Sequence, residues 1–455
     1  MGLDLKLRVT ESGGTRGPQG PAAPEQTYVM PVRLRREWIR HGAHQGNDVV
    51  LDFPGRRRLE LDEDARTYTE TSLYASLGNR HFELPNREHI RSVIAAGGGD
   101  ASDFEPVIAE HQLAVLDKAR NRTIAGAKSS RGSGLGGRLR SMFSKPERSD
   151  ISVESEQGYT VYVTDTGRRL LSYSDDGVDA EPDRVRQFVR FLRYRFNGHP
   201  LILERIASAG RIPRELRYWA RQPIGFLLSN VTLRVEAMET VPDDALRLDG
   251  LRRVLAPTET PQLDSVLERV LLGDVPDSQE VAARRKQEAR EAVDADRMFE
   301  SVLALLSLTL ETDVALPGLG DALQSLDEPH VQRMRDALTT QPGSKEEARA
   351  VAETYVELQQ AAGRWAYVLK TFEAASRRAL GEKEKARDLL LAALQANPFL
   401  TGAYKDLGDL YLQGFQMHVA WMCWEAARKI SPGHRLMKDI DELEAMLAAE
   451  HPEYL

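Results

Sequence analysis

Two groups of residues have types and spacings that could support chemistry. Gly132, Gly134 and Gly137 satisfy the G-x-G-x-x-G pattern, which binds a dinucleotide where it joins a strand to a helix. Here the pattern lies in a Gly/Ser-rich stretch with no strand before it, so we interpret it as a loop. His418 and Cys423 stand five positions apart. That spacing is about 140° around a helix, which separates a base from the thiol that it would activate.

Metal-ligand patterns are also weak. His41 and His44 have no Asp or Glu near them at metal-ligand spacing, and we expect both in a surface loop. Cys423 is the single cysteine, which excludes an intramolecular disulfide and any multi-cysteine metal site. We expect it to be a small buried residue. The sequence therefore predicts no catalytic site, no cofactor and no metal, and favours a protein that is not an enzyme.

Length and charge set further bounds. The chain has 455 residues, with 61 Lys or Arg against 69 Asp or Glu, a formal net charge of −8. At about 150 residues per domain, this length suggests roughly three domains. A mildly acidic chain is a poor candidate for nucleic-acid binding, which requires a basic face. No apolar run approaches the ~18 residues that would span a bilayer. We therefore expect neither a nucleic-acid partner nor a transmembrane segment.

The first residues predict a strand rather than a targeting signal. In MGLDLKLRVTE, Leu3, Leu5, Leu7 and Val9 alternate with polar residues, and no basic start precedes an apolar stretch. The sequence as given therefore favours a cytoplasmic protein. If an export signal precedes it, the periplasm or cell envelope is the alternative compartment.

Residues 1–240 predict a β-rich domain. Short runs with alternating apolar residues are separated by turn signals, as in antiparallel sheets that bury one face and expose the other to solvent. The predicted strands are MGLDLKLRVTE, TYVMPVRLRREWIRH, NDVVLDF, RRRLELD, RTYTETSLYA, Phe104–Leu116, GYTVYVTD, RRLLSYSD and NVTLRVEAM. Two helices interrupt them, Asn86–Ala96 and Pro182–Phe196, and a flexible loop is expected over 125–149. We expect a curved sheet or half-barrel with packed helices.

Residues 241–455 predict an all-helical part. We divide it into a connecting domain over 241–364 and helical repeats over 365–455. The predicted helices are Leu263–Leu272, Ser278–Leu310, Leu319–Leu326, Val331–Leu338, Lys345–Ala362, Trp365–Leu380, Lys383–Ala396, Thr401–Gln413, His418–Ile430 and Arg435–Ala449. The whole chain is thus expected to be α+β, with the sheet first and the helices after it.

A repeat near the carboxyl end is the most specific pattern. Pro398 and Pro432 lie 34 residues apart, the period of a tetratricopeptide repeat. Eight positions match that repeat at fixed offsets: Tyr404, Leu407, Gly408, Tyr411, Ala420, Trp424, Ala427 and Pro432. Small residues at Gly408 and Ala420 let two helices approach closely. The segment 365–455 therefore resembles the tetratricopeptide-repeat family; an ordinary helical hairpin is the alternative.

The preceding unit keeps half of this pattern. Ala386, Leu390 and Ala393 match its second helix, whereas Lys370, Glu373 and Arg377 of its first helix fall where large apolar residues belong.

The resemblance implies a surface that binds a peptide or protein segment. In this family the first helix of each repeat lines the concave face, which here would expose Lys405, Asp409 and Leu412. Stacks of fewer than three repeats are marginal alone. The two units therefore either bind a partner or only extend the helices that precede them.

Residues 1–240 resemble a second family. The segments VVLDFPGRRRLELDEDARTYTE, YTVYVTDTGRRLLSYS and PDRVRQFVRFLRYRF are similar in order to the bacterial LolA-like lipoprotein carriers, whose half-open barrels hold acyl chains. The likeness is a pattern of strands without a residue motif, and an unrelated antiparallel sheet is the alternative. The sequence favours a non-catalytic scaffold that binds a partner through its helical repeats. A carrier of a lipid or other apolar ligand in the half-barrel is the alternative function.

Overall fold

The computed structural model describes residues 1–12, 25–42, 46–78, 81–82, 96–97, 151–164, 169–196, 198, 200–221, 228–314, 316–317 and 319–455. A mostly antiparallel sheet comes first and helices follow, which confirms the predicted α+β class. The chain forms two compact units. The sheet unit comprises Met1–Tyr68, Arg80–Arg252 and His451–Leu455; the helical unit comprises Thr69–Asn79 and Arg253–Glu450. The predicted boundaries at 240 and 364 stay predictions.

Fourteen strands occur in the described residues. They are β1 (Gly2–Ser12), β2 (Gln26–Leu34), β3 (Trp38–His41), β4 (Asp48–Asp52), β5 (Arg57–Asp62), β6 (Thr67–Ser72), β7 (Ile151–Glu156), β8 (Tyr159–Thr164), β9 (Arg169–Ser174), β10 (Gly177–Asp179), β11 (Arg211–Pro213), β12 (Glu215–Arg221), β13 (Leu228–Val241) and β14 (Arg252–Arg253). Twelve form one sheet in the order β14-β6-β5-β4-β3-β2-β1-β13-β12-β9-β8-β7, and β10 pairs with β11.

Strand β1 lies in the middle of the large sheet. It pairs antiparallel with β2 on one side, where Leu3 faces Leu34, and with β13 on the other. Its alternating residues Leu5, Leu7 and Val9 are buried, between 0 and 3% exposed. This period of two gives a strand one apolar face and one polar face. The amino-terminal strand is therefore confirmed.

Two helices of the sheet unit follow β10. Helix α1 (Pro182–Arg195) begins with proline in its first turn and confirms the predicted helix. Its apolar stripe, which includes Val185, Phe188 and Leu192, is buried. Helix α2 (Pro200–Ser208) was not predicted, because its nine residues are too few for a helical period to stand out; its buried residues are Ile202, Leu203 and Ile206.

The helical unit contains a longer series of elements. Its helices are α3 (Pro261–Leu271), α4 (Ser278–Asp294), α5 (Met298–Glu311), α6 (Leu319–Ser325), α7 (Pro329–Thr339), α8 (Lys345–Ala361), α9 (Ala366–Ala379), α10 (Lys383–Ala396), α11 (Thr401–Gln413), α12 (Met417–Ile430) and α13 (Lys438–Glu450). Short 3₁₀ turns at Gly363–Trp365 and Arg435–Met437 precede α9 and α13. Residues 73–78 are also helical.

The predicted single helix Ser278–Leu310 is wrong. The chain breaks into α4 and α5 at Asp296, which has a left-handed φ of 59°. The Asp296 N–H donates to the carbonyl of Val293, and the Arg297 N–H donates to that of Ala292. These two bonds form a Schellman motif, which ends a helix by satisfying its last carbonyls.

Two strand predictions are also corrected. The predicted strand TYVMPVRLRREWIRH is two strands, β2 and β3, because the Arg35 N–H donates to the Trp38 carbonyl and turns the chain. The predicted strand RTYTETSLYA ends at Ser72, after which Leu73 and Ala75 are fully buried in the 73–78 helix. The Phe104–Leu116 strand, the 125–149 loop with its glycine pattern, and nearly all of the Asn86–Ala96 helix lie outside the described residues. Among the described residues, no helix is long and apolar enough to cross a membrane.

Candidate partner-binding surface of the helical unit

Helices α11 and α12 form the hairpin that carries the best repeat pattern. Trp424 is 1% exposed, and its Nε1 donates to the Lys405 carbonyl at 3.3 Å. A Cβ placed on Gly408 would lie 2.3 Å from that Nε1 and 3.0 Å from the Ala420 carbonyl oxygen. Real Cβ atoms do not come so close to other atoms, so only glycine permits this approach. The predicted tight contact of the two helices at Gly408 is confirmed.

The 34-residue spacing is visible in the packing of three hairpins. Ala352 in α8, Ala386 in α10 and Ala420 in α12 follow one another at intervals of 34, and all three are fully buried. On the first helices, Ala374 of α9 stands 34 positions before Gly408 and is 2% exposed. Small residues therefore recur at this interval in α8, α10 and α12 and, on the first helices, in α9 and α11.

Helix α8 keeps one position of the repeat pattern that was not predicted from the sequence. Its Ala352 is fully buried and stands 34 positions before Ala386. Gln359, however, stands where Ala393 and Ala427 stand in the later helices, and no proline follows α8 at the position of Pro398. The spacing of Ala352 was the available signal.

The polar residues of the degenerate first helix are buried in an ion-pair network. Glu373 is 5% and Arg377 is 9% exposed. The Arg377 guanidinium binds Glu373 at 3.0 Å, Glu353 of α8 at 3.0 Å and Glu382 at 3.3 Å. The Gln359 side chain donates to Glu373 at 2.8 Å. This network takes the place of the large apolar residues that the repeat pattern expects, and it joins α8 to α9.

The three residues predicted to contact a partner lie on one stripe of α11. Lys405 and Asp409 form an ion pair, with 2.8 Å between Nζ and Oδ2, so the structure brings them together. Their side chains are only 13% and 21% exposed, less open than the sequence led us to expect. Leu412 is half-buried on the next turn. Their role in binding stays a prediction.

Charged contacts connect this stripe to the first helices on either side. The Arg378 guanidinium of α9 lies 3.0 Å from Asp406 and 3.6 Å from Asp409. On the other side, Lys405 Nζ lies 3.9 Å from Asp439 of α13. Arg378 stands 34 positions before Leu412, and Asp439 stands 34 after Lys405. Equivalent positions of α9, α11 and α13 therefore share one surface, which we call the first-helix face.

The charged groups of the first-helix face carry a small acidic excess: Asp406, Asp409 and Asp439 against Arg378 and Lys405. Burial raises the pKa of Asp406, which disfavours its charged form, and Arg378 opposes that rise. Asp439 is 78% exposed at the edge of the face. The helical unit as a whole has 23 Lys or Arg against 34 Asp or Glu, a formal net charge of −11, while the whole chain carries only −8. The acidic excess of the protein is therefore concentrated in this unit.

Aromatic rings that follow or belong to helix α1 pack against strands of the sheet unit. The ring centroids of Phe191 on α1 and His41 on β3 are 5.5 Å apart. Phe196 stacks on Tyr218 of β12, with 6.0 Å between the ring centroids. Leu233 of β13 is 1% exposed. These residues therefore contribute to the core between helix and sheet. The carrier function stays an untested prediction.

Two residues considered for chemistry are buried. His41 was expected in a surface loop, and this prediction is wrong. It lies at the end of β3, and burial lowers its pKa to about 4. His44 lies outside the described residues. Cys423 is fully buried, as predicted, and burial raises the pKa of its thiol. A thiol with a raised pKa is a poor nucleophile.

Comparison of the chain with protein-family models and with curated proteins found no match. The resemblance to tetratricopeptide repeats therefore depends on the residues and their packing alone.

Proposed function

We propose that the helical unit binds an extended, basic segment of a partner protein along the first-helix face. The observation that carries the proposal is the continuity of this face across three successive first helices. Asp409 of α11 pairs with both Arg378 of α9 and Lys405, and Lys405 in turn lies near Asp439 of α13. Repeats of this shape present such faces to peptides, and acidic surfaces select and steer basic partners.

Partly exposed apolar side chains complete the face. Leu412 is half-buried, and so are Leu443 and Met446 of α13, which stand 34 positions after Asp409 and Leu412. A bound segment can therefore bury apolar side chains between the charged contacts. Burial would supply affinity, while the charges would select the partner and fix its register.

A selection experiment tests the proposal. Random peptides displayed on phage are selected on the full-length protein, and the enriched peptides are then titrated against two charge-reversal variants. Asp439→Lys reverses a charge on the first-helix face. Asp388→Lys is the control and reverses a charge on the second helix α10. The two carboxylates are matched in exposure, at 78% and 72%.

We expect basic peptides to be enriched and to bind Asp439→Lys about tenfold more weakly, which is roughly 1.4 kcal/mol. They should bind Asp388→Lys like the unchanged protein. Equal binding to both variants would place the peptide elsewhere, and failure to enrich any peptide would remove the support for a peptide-binding face.

A further inference from the structure

A groove of about 460 Å³ beside helix α1 of the sheet unit carries an excess of positive charge. Five arginines and three carboxylates line it, for a formal net charge of about +2. The arginines are Arg36, Arg184, Arg186, Arg190 and Arg193. Its size lies within the roughly 300–1,000 Å³ of small-molecule sites.

Three of these arginines form a stripe of like charge. Arg186, Arg190 and Arg193 occupy positions i, i+4 and i+7 of α1, so their side chains leave the helix on one side. Burial, together with the charges of Arg56 and Arg186, lowers the pKa of Arg190. Like charges at this spacing destabilise a helix. Asp183 already pairs with Arg186, and Glu453 with Arg193 at 3.3 Å, so an anion in the groove would chiefly compensate Arg190.

Buried polar atoms in the groove wall lack partners. Arg184 is 7% exposed; its Nη2 donates to Asp243 at 3.2 Å, while Nε and Nη1 have no partner within the described residues. Gln187 is 6% exposed and donates to the Arg36 carbonyl at 2.7 Å. Its Oε1 accepts no hydrogen bond from any described residue. Buried polar groups are normally satisfied, so unsatisfied ones require an explanation.

We propose that this groove binds the phosphate group of a small ligand. A phosphate monoester carries a charge of about −1.5 to −2 near neutral pH, which is opposite in sign to the excess charge of the groove. Its oxygens are acceptors for the Arg184 nitrogens, and a hydroxyl group on the ligand can donate to Gln187. Arg36 and Arg186 at the rim supply further guanidinium donors, which suit phosphate. The site belongs to the sheet unit and does not depend on the peptide-binding proposal.

Calorimetric titration of the full-length protein tests the site. The probes are ribose 5-phosphate, inorganic phosphate and, as a neutral control, ribose. Arg36→Ala and Arg186→Ala remove rim arginines that are exposed, so both variants should fold. Arg214→Ala is the matched control: like Arg186 it is an exposed arginine paired with one aspartate, at 59% against 62% exposure, but it lies outside the groove.

We expect saturable binding of the phosphate probes, no binding of ribose, and about tenfold weaker binding after either Arg36→Ala or Arg186→Ala. Arg214→Ala should bind like the unchanged protein. Tighter binding of ribose 5-phosphate than of inorganic phosphate would identify an organic phosphate as the ligand; equal binding would identify free phosphate. The proposal is overturned if neither probe binds saturably, or if Arg214→Ala weakens binding as much as Arg186→Ala does.

Discussion

The close approach of α11 and α12 predicts that Gly408→Ala destabilises the helical unit. The added methyl group would lie 2.3 Å from Nε1 and 2.5 Å from Cδ1 of Trp424. The Trp424 side chain is buried, at 1% exposure. Overpacking of this kind costs about 1–3 kcal/mol. Loss of the bond from Nε1 to the Lys405 carbonyl adds about 1 kcal/mol. The better helix propensity of alanine returns about 1 kcal/mol. The expected net loss is therefore about 1–3 kcal/mol.

Gly402→Ala is the matched control for this prediction. It changes the same residue type in the same helix, but its Cβ would lie 3.6 Å from Leu310 and 3.7 Å from Leu436, which are ordinary contacts. We expect Gly402→Ala to leave stability unchanged or raise it by up to about 1 kcal/mol. Urea denaturation followed by circular dichroism and tryptophan fluorescence measures both variants. If Gly408→Ala is as stable as Gly402→Ala, the tight packing of the hairpin is refuted.

Two further substitutions test local features of the fold. Phe415 follows the end of α11 and has a left-handed φ of 60°. Gly381 holds the equivalent position after α9, 34 residues earlier, and its φ is 80°. Phe415→Gly should therefore stabilise the protein by about 0.5–1 kcal/mol in urea denaturation, because glycine adopts this conformation without steric cost; a loss of stability would contradict this reasoning. His41 has a pKa of about 4 in the folded chain and about 6.5 when unfolded, so the unfolded state binds more protons as the pH falls below about 6.5. Its contribution to stability is complete above pH 6.5 and is lost as the pH falls towards 4. Between pH 7 and 5 the unchanged protein should lose about 2 kcal/mol more than His41→Phe, and equal losses would show that His41 is not buried in its neutral form.

Features set by local spacing could be predicted from the sequence. The alternation of Leu3, Leu5, Leu7 and Val9 predicted β1, and Pro182 followed by an apolar stripe predicted α1. The hairpin of α11 and α12 was predicted because Gly408 and Trp424 are both present at the offsets that their contact requires. In each case the residues that determine the structure are close in sequence and have distinctive types.

Features set by packing elsewhere could not be predicted in the same way. The break at Asp296 has neither glycine nor proline, and aspartate adopts the left-handed conformation only where the surrounding contacts favour it. Glu373 and Arg377 break the repeat pattern because their partners, Glu353 and Gln359, lie on the preceding helix α8. The sequence shows charges at these positions but not which charges meet.

The candidate surface was predicted in part. The stripe of Lys405, Asp409 and Leu412 follows from the repeat register, and the structure places the three together on α11. Their limited exposure follows from contacts with neighbouring first helices, including Arg378 and Asp439, which a single repeat pattern does not show. No role was predicted from the sequence for the arginines of α1. Only the structure shows the groove and the unsatisfied atoms of Arg184 beside them.

Hydroxyl-radical footprinting of the full-length protein with a selected basic peptide shows directly whether the peptide lies on the first-helix face. We expect bound peptide to protect Leu412, Leu443 and Met446 on this face from oxidation. Leu389 on the second helix α10 is also partly exposed and should react equally with and without peptide. Protection of Leu389 with unchanged reactivity of Leu412 and Met446 would contradict the assignment of the first-helix face as the binding surface.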